Sequence, residues 1–315
     1  MCGATVRSDS ANAQAFGLFL KEFGTVQVTP LTLDFGAEIS GANLADASPA
    51  LAATCFDLFD RHAVCIFRDS GLDDEAHVAF SRLFGELEMA PRISAAGATP
   101  RFACPELFDA GNLDREGRIV TDERRRLINL GNQQWHTDSS FRPARSSYSM
   151  LLAHRIPDVG GETEFTDLRA AYDALPDEMK ARIAGLEAEH SYWHSRQLVG
   201  YPAPTETEIA AIPGARQPLV LAHPRTGRPS LYLAAHASHI VGMDPAEGRA
   251  LLRELMDFAT QERFRYVHRW QVGDLVVWDN LCTMHRATPF DDSRYARDMR
   301  RTTVIDGSGL RAQAA

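Results

Sequence analysis

Gly131-Asn-Gln-Gln-Trp-His-Thr-Asp-Ser-Ser-Phe141 is the stretch at which the chain changes character. Downstream of it, short runs of Val, Ile, Leu, Phe, Tyr and Thr punctuated by Gly, Pro and Asp predict strands at 147–156, 163–165, 218–222, 231–235, 264–270, 275–278 and 301–305. Two helical blocks interrupt them, 168–189 and 244–260. The second is well bounded: Asp244 is the N-cap, Pro245 opens the first turn, Glu247 follows, and Leu251, Leu252, Leu255, Met256 and Ala259 share one face. That stripe is expected to pack on a sheet and carries no cofactor motif. Many short strands with peripheral helices predict a mainly β protein with flanking helices, for which a jelly roll, two antiparallel sheets around a ligand-sized mouth, is one fit among the sandwiches.

Upstream, residues 88–126 lose periodicity and scatter Gly, Pro and charge, which predicts a long, mobile, lid-like loop beside the motif. Before it, 26–44 reads as two short strands broken at Pro30 and Gly36, 50–61 as a helix and Ala63-Val-Cys-Ile-Phe67 as a buried strand. A further helix starts at Asp73 or Asp74 and closes at Gly85. No repeat or linker divides the 315 residues, so one domain over 1–315, with its β core over about 130–306 and helical insertions, is preferred to two.

With 44% hydrophobic and 24% charged residues, the composition is that of a globular protein able to bury a substantial core. Acidic residues outnumber basic ones, 42 to 33, for a formal charge of −9, which disfavours nucleic acid or an anionic membrane as partner. Any anionic ligand must then be held by a local cluster. No run of 18 apolar residues occurs, and MCGATVRSDSANAQ lacks the basic-then-apolar order of a signal peptide, so a cytoplasmic location is expected. Cys2, Cys55, Cys65, Cys104 and Cys282 are odd in number and lack CxxC spacing, which predicts reduced thiols. Cys282, close to His285, reads as a core or near-site thiol rather than a ligand. The sequence sets no oligomeric state; a homo-oligomer is compatible with it.

One residue separates His136 from Asp138, so if Trp135-His-Thr-Asp-Ser139 is extended both side chains leave the same face. Two histidines and one carboxylate form the facial arrangement that binds Fe(II) with positions left open, so a second histidine is needed. His285 is the candidate. It ends Trp278-Asp-Asn-Leu-Cys-Thr-Met-His285, where an apolar strand runs into a turn and a returning strand, a hairpin that would aim His285 at the first pair. Beyond it lie Arg294, Arg297, Arg300 and Arg301. A guanidinium binds a carboxylate bidentately and stays charged when buried, although a solvated basic edge is the plain alternative.

From Asn132 to Thr303 the chain resembles the taurine and 2,4-dichlorophenoxyacetate dioxygenase family, and looks closest to its herbicide-degrading branch. The resemblance rests on the opening stretch together with Gly160-Gly-Glu-Thr-Glu-Phe165, Asp167-Leu-Arg-Ala-Ala-Tyr-Asp-Ala-Leu-Pro176, Ala234-Ala-His-Ala-Ser-His239, Gly273-Asp-Leu-Val-Val-Trp-Asp-Asn280 and the tract from His285 to Arg301, in the family's order. Weaker similarity reaches back through 80–85. It implies a double-stranded β-helix (jelly-roll) core, Fe(II) on His136, Asp138 and His285, and 2-oxoglutarate as co-substrate whose far carboxylate meets Thr163 and Arg297. It also implies dioxygen as oxidant and Arg301 as the residue that binds a small anionic organic substrate. Residues four apart in a strand share a face about 13 Å apart, so Arg297 and Arg301 would serve two different acids.

Asn132 matches a family position at the substrate pocket, though a turn-stabilising role explains it equally well. Arg92 lies where family members place substrate contacts, and a surface arginine is the plainer reading. His223, His236 and His239 are read as satisfied core or surface histidines, Trp135 and Trp278 as walls of the site, and Asp279 and Asn280 as turn residues. The chain departs from the pattern after Gly85, around 192–216, and by one extra residue between His285 and Arg297. Those departures bear on the substrate, so an aryloxyalkanoate, cleaved at its ether to a phenol and an oxo acid, stands beside an organosulfonate. A zinc hydrolase and a non-catalytic binding protein are the rivals from other classes; the first lacks HExxH and a second carboxylate base.

Overall fold

Val64-Cys-Ile-Phe67 has no polar residue because both its faces are covered, and in the computed structural model all four residues are buried. The structure describes residues 26–32, 34–90 and 101–307. The first strands are β1 (Gln27–Pro30), β2 (Ala37–Ser40), β3 (Val64–Phe67) and β4 (Phe108–Asp109). Then come β5 (Ser146–Arg155), β6 (Thr163–Asp167), β7 (Glu187–His190), β8 (Ala215–Pro218), β9 (Val220–Ala222) and β10 (Pro229–Leu231). The last are β11 (Ala237–Ile240), β12 (Arg265–His268), β13 (Leu275–Asp279), β14 (Thr283–Ala287) and β15 (Asp298–Ile305). The helices that matter below are α1 (Pro49–His62), α2 (Asp74–Arg82), α3 (Glu123–Leu130), α4 (Leu168–Asp173), α5 (Asp177–Ile183), α6 (Tyr192–Gln197), α7 (Glu206–Ala211) and α8 (Pro245–Ala259).

A seven-stranded sheet runs in the order β1-β2-β3-β13-β5-β15-β4, antiparallel except between β2 and β3. Alternation along its strands divides the core. Leu275 and Val277 of β13, with Met150 and Leu152 of β5, point to one side, where Phe59 of α1 and Val78 and Phe80 of α2 cover them. Val276, Trp278, Leu151 and Ala153 point to the other, against Phe165 of β6. Each fully buried side chain of this kind contributes roughly 1.5–3 kcal/mol. Three small sheets complete the β structure: β12-β6-β14, β11-β7-β8 and β10-β9. Helix α8 lies over β11, with Leu251, Leu252 and Leu255 inward and Gly248 so close that a Cβ would sit 3.2 Å from the Ile240 nitrogen.

Several expectations need correction. β13 and β14 do not form a hairpin: β13 pairs with β3 and β5, β14 with β6, so the turn between them is a corner from one sheet to another. The block at 168–189 is two helices separated at Pro176 and ends in strand β7. The strand expected at 231–235 stops at Leu231. The expected mobile loop is anchored over its described part. Phe108 and Asp109 pair with Arg301 and Arg300, Leu107 and Leu113 are buried, and α3 begins at Glu123. Residues 91–100, and with them Arg92, lie outside the described residues.

Candidate metal centre and its cleft

His136 and His285 are partners through the backbone. The His136 amide donates to the His285 carbonyl at 3.0 Å and the His285 amide donates back at 2.8 Å, an isolated antiparallel bridge. Directly opposed residues project to the same face. The two rings accordingly lie 4.2 Å apart, between centroids. Nδ1 of His136 bonds the Gln134 carbonyl at 2.7 Å, which fixes the protonated nitrogen and leaves Nε2 as a lone-pair donor. His285 is held by packing between Trp278 and Phe165.

The extended reading of 135–139 holds only through His136; Asp138 sits in a turn, and Ser139 after it takes the left-handed conformation at φ 54°. The turn is pinned by Asn280, whose Oδ1 accepts the Asp138 amide at 3.1 Å and the Trp278 indole at 3.0 Å. Its Nδ2 donates to Ser149 Oγ, which donates in turn to Asp138 Oδ2 at 2.7 Å. His136 Nε2 then lies 3.9 Å from Asp138 Oδ1, and His285 Nε2 lies 3.8 Å from Oδ2. All three residues are buried, their ligand atoms fall within 4.8 Å of one another, and no other such group of His, Cys, Asp and Glu occurs among the described residues.

Burial pushes both imidazoles below the usual histidine range, His285 well below it, so both are neutral and able to ligate. Burial alone would raise the Asp138 carboxyl; Arg301 first, with the Ser149 hydroxyl, overcomes it and holds it down at about 2. Two neutral nitrogens and one carboxylate, dry and convergent, fit a divalent transition metal.

A cleft of about 830 Å³, open to solvent, adjoins the cluster and is lined among others by Asn132, Thr163, Trp278, Arg297 and Arg301. The structure therefore brings together every candidate residue it describes. Arg297, just ahead of β15, is 6% exposed; it donates from Nη1 to the Gly161 carbonyl at 2.8 Å, while its buried Nε has no partner among the described residues. Burial pushes this guanidinium down to about 10, with Glu162 opposing. A buried cation satisfied by one neutral carbonyl is a receptor for an acid, which makes the cleft fit a dicarboxylate such as 2-oxoglutarate. Thr163 Oγ accepts the Trp270 indole proton at 3.0 Å and retains its own proton to donate. Arg301, on β15 and half-buried, pairs through Nη1 with Asp138 Oδ1, and its buried Nε has no partner among the described residues. Arg300 and Arg294 are different: Arg300 is tied to Asp74 and Asp298, and Arg294 is exposed over Tyr295.

The expected lid contributes to this site as scaffold. Asn112 Oδ1 accepts the Arg297 amide at 2.7 Å, and its own amide returns a bond to the Arg297 carbonyl. Trp278 walls the cleft, whereas Trp135 lies under Arg286 and borders a separate groove. His223 bonds Asp279 at 2.9 Å, His236 bonds Ser195 and His239 bonds Ser238, each at 2.9 Å. Cys282 is buried, its sulfur toward the Asp279 carbonyl. Sequence reasoning assigned Asn280 to a local turn and overlooked Ser149; the signal for both is a polar residue at an inward position of an otherwise apolar strand or its end.

The profile of the family described as taurine catabolism dioxygenase TauD, TfdA family, matches residues 27–303. The chain is 41% identical over 284 residues to an alpha-ketoglutarate-dependent 2,4-dichlorophenoxyacetate dioxygenase of Cupriavidus pinatubonensis, covering 90% of this chain and 98% of that one. It is 37% identical to a (S)-phenoxypropionate/alpha-ketoglutarate-dioxygenase of Sphingobium herbicidovorans, covering 84% and 90%. Among solved structures, AAD-2 in complex with Mn(II) and N-oxalylglycine superposes with a TM-score of 0.85 at 42% identity, covering 90% and 98%.

Proposed function

Because the chain belongs to the TauD/TfdA family of dioxygenases, we propose that it hydroxylates a small organic acid at an Fe(II) centre with 2-oxoglutarate and dioxygen as co-substrates, and that the acid is an aryloxyalkanoate such as 2,4-dichlorophenoxyacetate. One observation carries the reading: two arginines, the buried Arg297 and the half-buried Arg301, each with a buried Nε that has no partner among the described residues, flank the His136, Asp138 and His285 cluster in one cleft. A hydrolytic metal site has no use for two such cations. Relatives whose named substrates are 2,4-dichlorophenoxyacetate and phenoxypropionate favour the aryloxy class over a sulfonate.

In this reading His136, Asp138 and His285 hold the metal. Bound iron, with 2-oxoglutarate and dioxygen, supplies the oxidising power, the keto acid leaving as succinate and carbon dioxide. Arg297 and Thr163 receive the far carboxylate of the keto acid; Arg301 receives the substrate acid through the donors not engaged by Asp138 and so presents one C–H bond to the centre. Trp278 and Leu151 exclude water beside the ligands. Hydroxylation next to the ether oxygen leaves a hemiacetal that falls apart to a phenol and an oxo acid. The architecture proposed is a single domain with a double-stranded β-helix core, supported by β1, β2 and β3 joining the same sheet as β13, β5 and β15.

The test is a succinate-release screen of anaerobically reconstituted enzyme, with air admitted, against aryloxy acids (both enantiomers of chiral ones) and sulfonates. Substrate-dependent succinate and phenol from an aryloxy acid is the expected result. Turnover of sulfonates alone would sink the substrate class, and no turnover by an Fe(II)-loaded, 2-oxoglutarate-binding protein would sink the activity.

A further inference from the structure

Arg196, on α6, is a second fully buried arginine beside the cleft, with no part in holding the metal or the keto acid. It is 6% exposed and its guanidinium lies over the Tyr192 ring, 4.4 Å from the centroid. Its acceptors among the described residues are both neutral: Ser195 Oγ from Nη1 and Asn132 Oδ1 from Nη2, each at 3.3 Å, with Nε buried and unpartnered. Buried charges are ordinarily paired with opposite ones. This one is spent on an amide.

Gly131 shows that the placement is built in. A Cβ there would lie 2.0 Å from Arg196 Nη1 and 2.5 Å from its Cζ, so the guanidinium rests flat on the backbone immediately before Asn132. The φ of Gly131 is −57°, open to any residue, so space and not backbone conformation calls for glycine. Asn132 lines the cleft from the 3-10 turn that Gly131 opens. A guanidinium has only donors, so the atom of the Asn132 amide that faces it must be the oxygen. The NH2 half is then left for the occupant of the cleft, with its N–H bonds polarised by the cation behind.

We propose that Arg196 is a positioning residue that locks the Asn132 side chain with its NH2 toward the cleft, so that this end of the site selects a substrate carrying an acceptor oxygen there. The proposal deepens the proposed function and rests on its placing of the prime substrate in this cleft.

The test is a double-mutant cycle on whichever acid gives substrate-dependent succinate with the wild-type enzyme, so that a wrong substrate class is detected first and separately. Arg196→Gln, which offers Asn132 either hydrogen-bonding role, is expected to raise KM for that acid roughly tenfold, the loss typical of one hydrogen bond to a charged or strongly polarised partner, with kcat and the KM for 2-oxoglutarate little changed. Asn132→Ala should give a similar rise and the double variant no further rise. Arg196→Lys, donor-only, should recover most of the loss. Gly131→Ala, which displaces the guanidinium while keeping it in the chain, should reproduce Arg196→Gln if that variant folds poorly. Additive effects of Arg196→Gln and Asn132→Ala, an equal rise in the KM for 2-oxoglutarate, or an unaffected substrate KM would each overturn the proposal.

Discussion

Arg297 enters the interior with the Gly161 carbonyl as its one side-chain acceptor among the described residues, and the proposed function completes it with the carboxylate of a ligand. Removing it should therefore separate two quantities that usually move together. Arg297→Leu is expected to raise the KM for 2-oxoglutarate by roughly 10–100-fold, the loss of charge-assisted hydrogen bonds, while leaving the free protein as stable as the wild type or more so, because an unpaired buried cation is gone. Titration of 2-oxoglutarate at saturating metal, beside thermal melts without ligand, checks both signs. Arg297 and Arg301 were singled out in the sequence by the family resemblance, since their spacing alone also fits a solvated basic edge. That Arg300 is structural was not: its partner Asp74 lies on α2, far away in sequence. Arg196 was missed for the same reason, since its meaning depends on contact with Gly131 and Asn132, distant from it in sequence.

The corner between β13 and β14 does most to shape the centre. Consecutive strands usually pair, which is why Leu275-Val-Val-Trp278 followed by Thr283-Met-His285 reads as a hairpin in sequence. Here the chain passes from one sheet to the other, and the Asn280 side chain spans the gap to hold both the Trp278 indole and the Asp138 amide. Replacing Asn280 with Ala frees Asp138 and leaves Ser149 without its donor. Metal affinity should drop about 10–100-fold, the effect of losing a partner that orients a ligand, as read by Mn(II) titration, with the KM for 2-oxoglutarate at saturating metal unchanged. The segment 101–126 makes the complementary point. It lacks any period and so looks like a loop, yet Asn112 and β4 tie it to Arg297 and β15.

For the molecule as a whole, apolar runs such as 64–67 and 275–278 were legible as strands while 231–235 was not, and the grouping into sheets depended on contacts between distant segments, such as β3 against β13. The same burial makes the fold acid-sensitive. Burial pushes His77 down to about 4 and His190 to about 3, the first against a backbone bond from Met150 that acts in the other direction. Both would titrate near 6.5 in the unfolded chain. With the folded values the lower, the unfolded state binds more protons in between, so this stability is complete above about 6.5 and is lost as pH falls toward 4 and 3. Urea unfolding of the metal-free protein should weaken between pH 7 and pH 5 by up to roughly 1.4 kcal/mol per pH unit per imidazole, and His190→Gln should flatten the slope.

The bridge between His136 and His285 also orders events in time. A chain leaving the ribosome exposes His136 and Asp138 long before His285, and β15, which lies between β5 and β4 in the largest sheet and carries Arg301, comes later still. Neither imidazole can be set against the other until residue 285 has been made. A nascent chain released before that point would leave the ribosome with His136 and Asp138 and without the third member of the cluster.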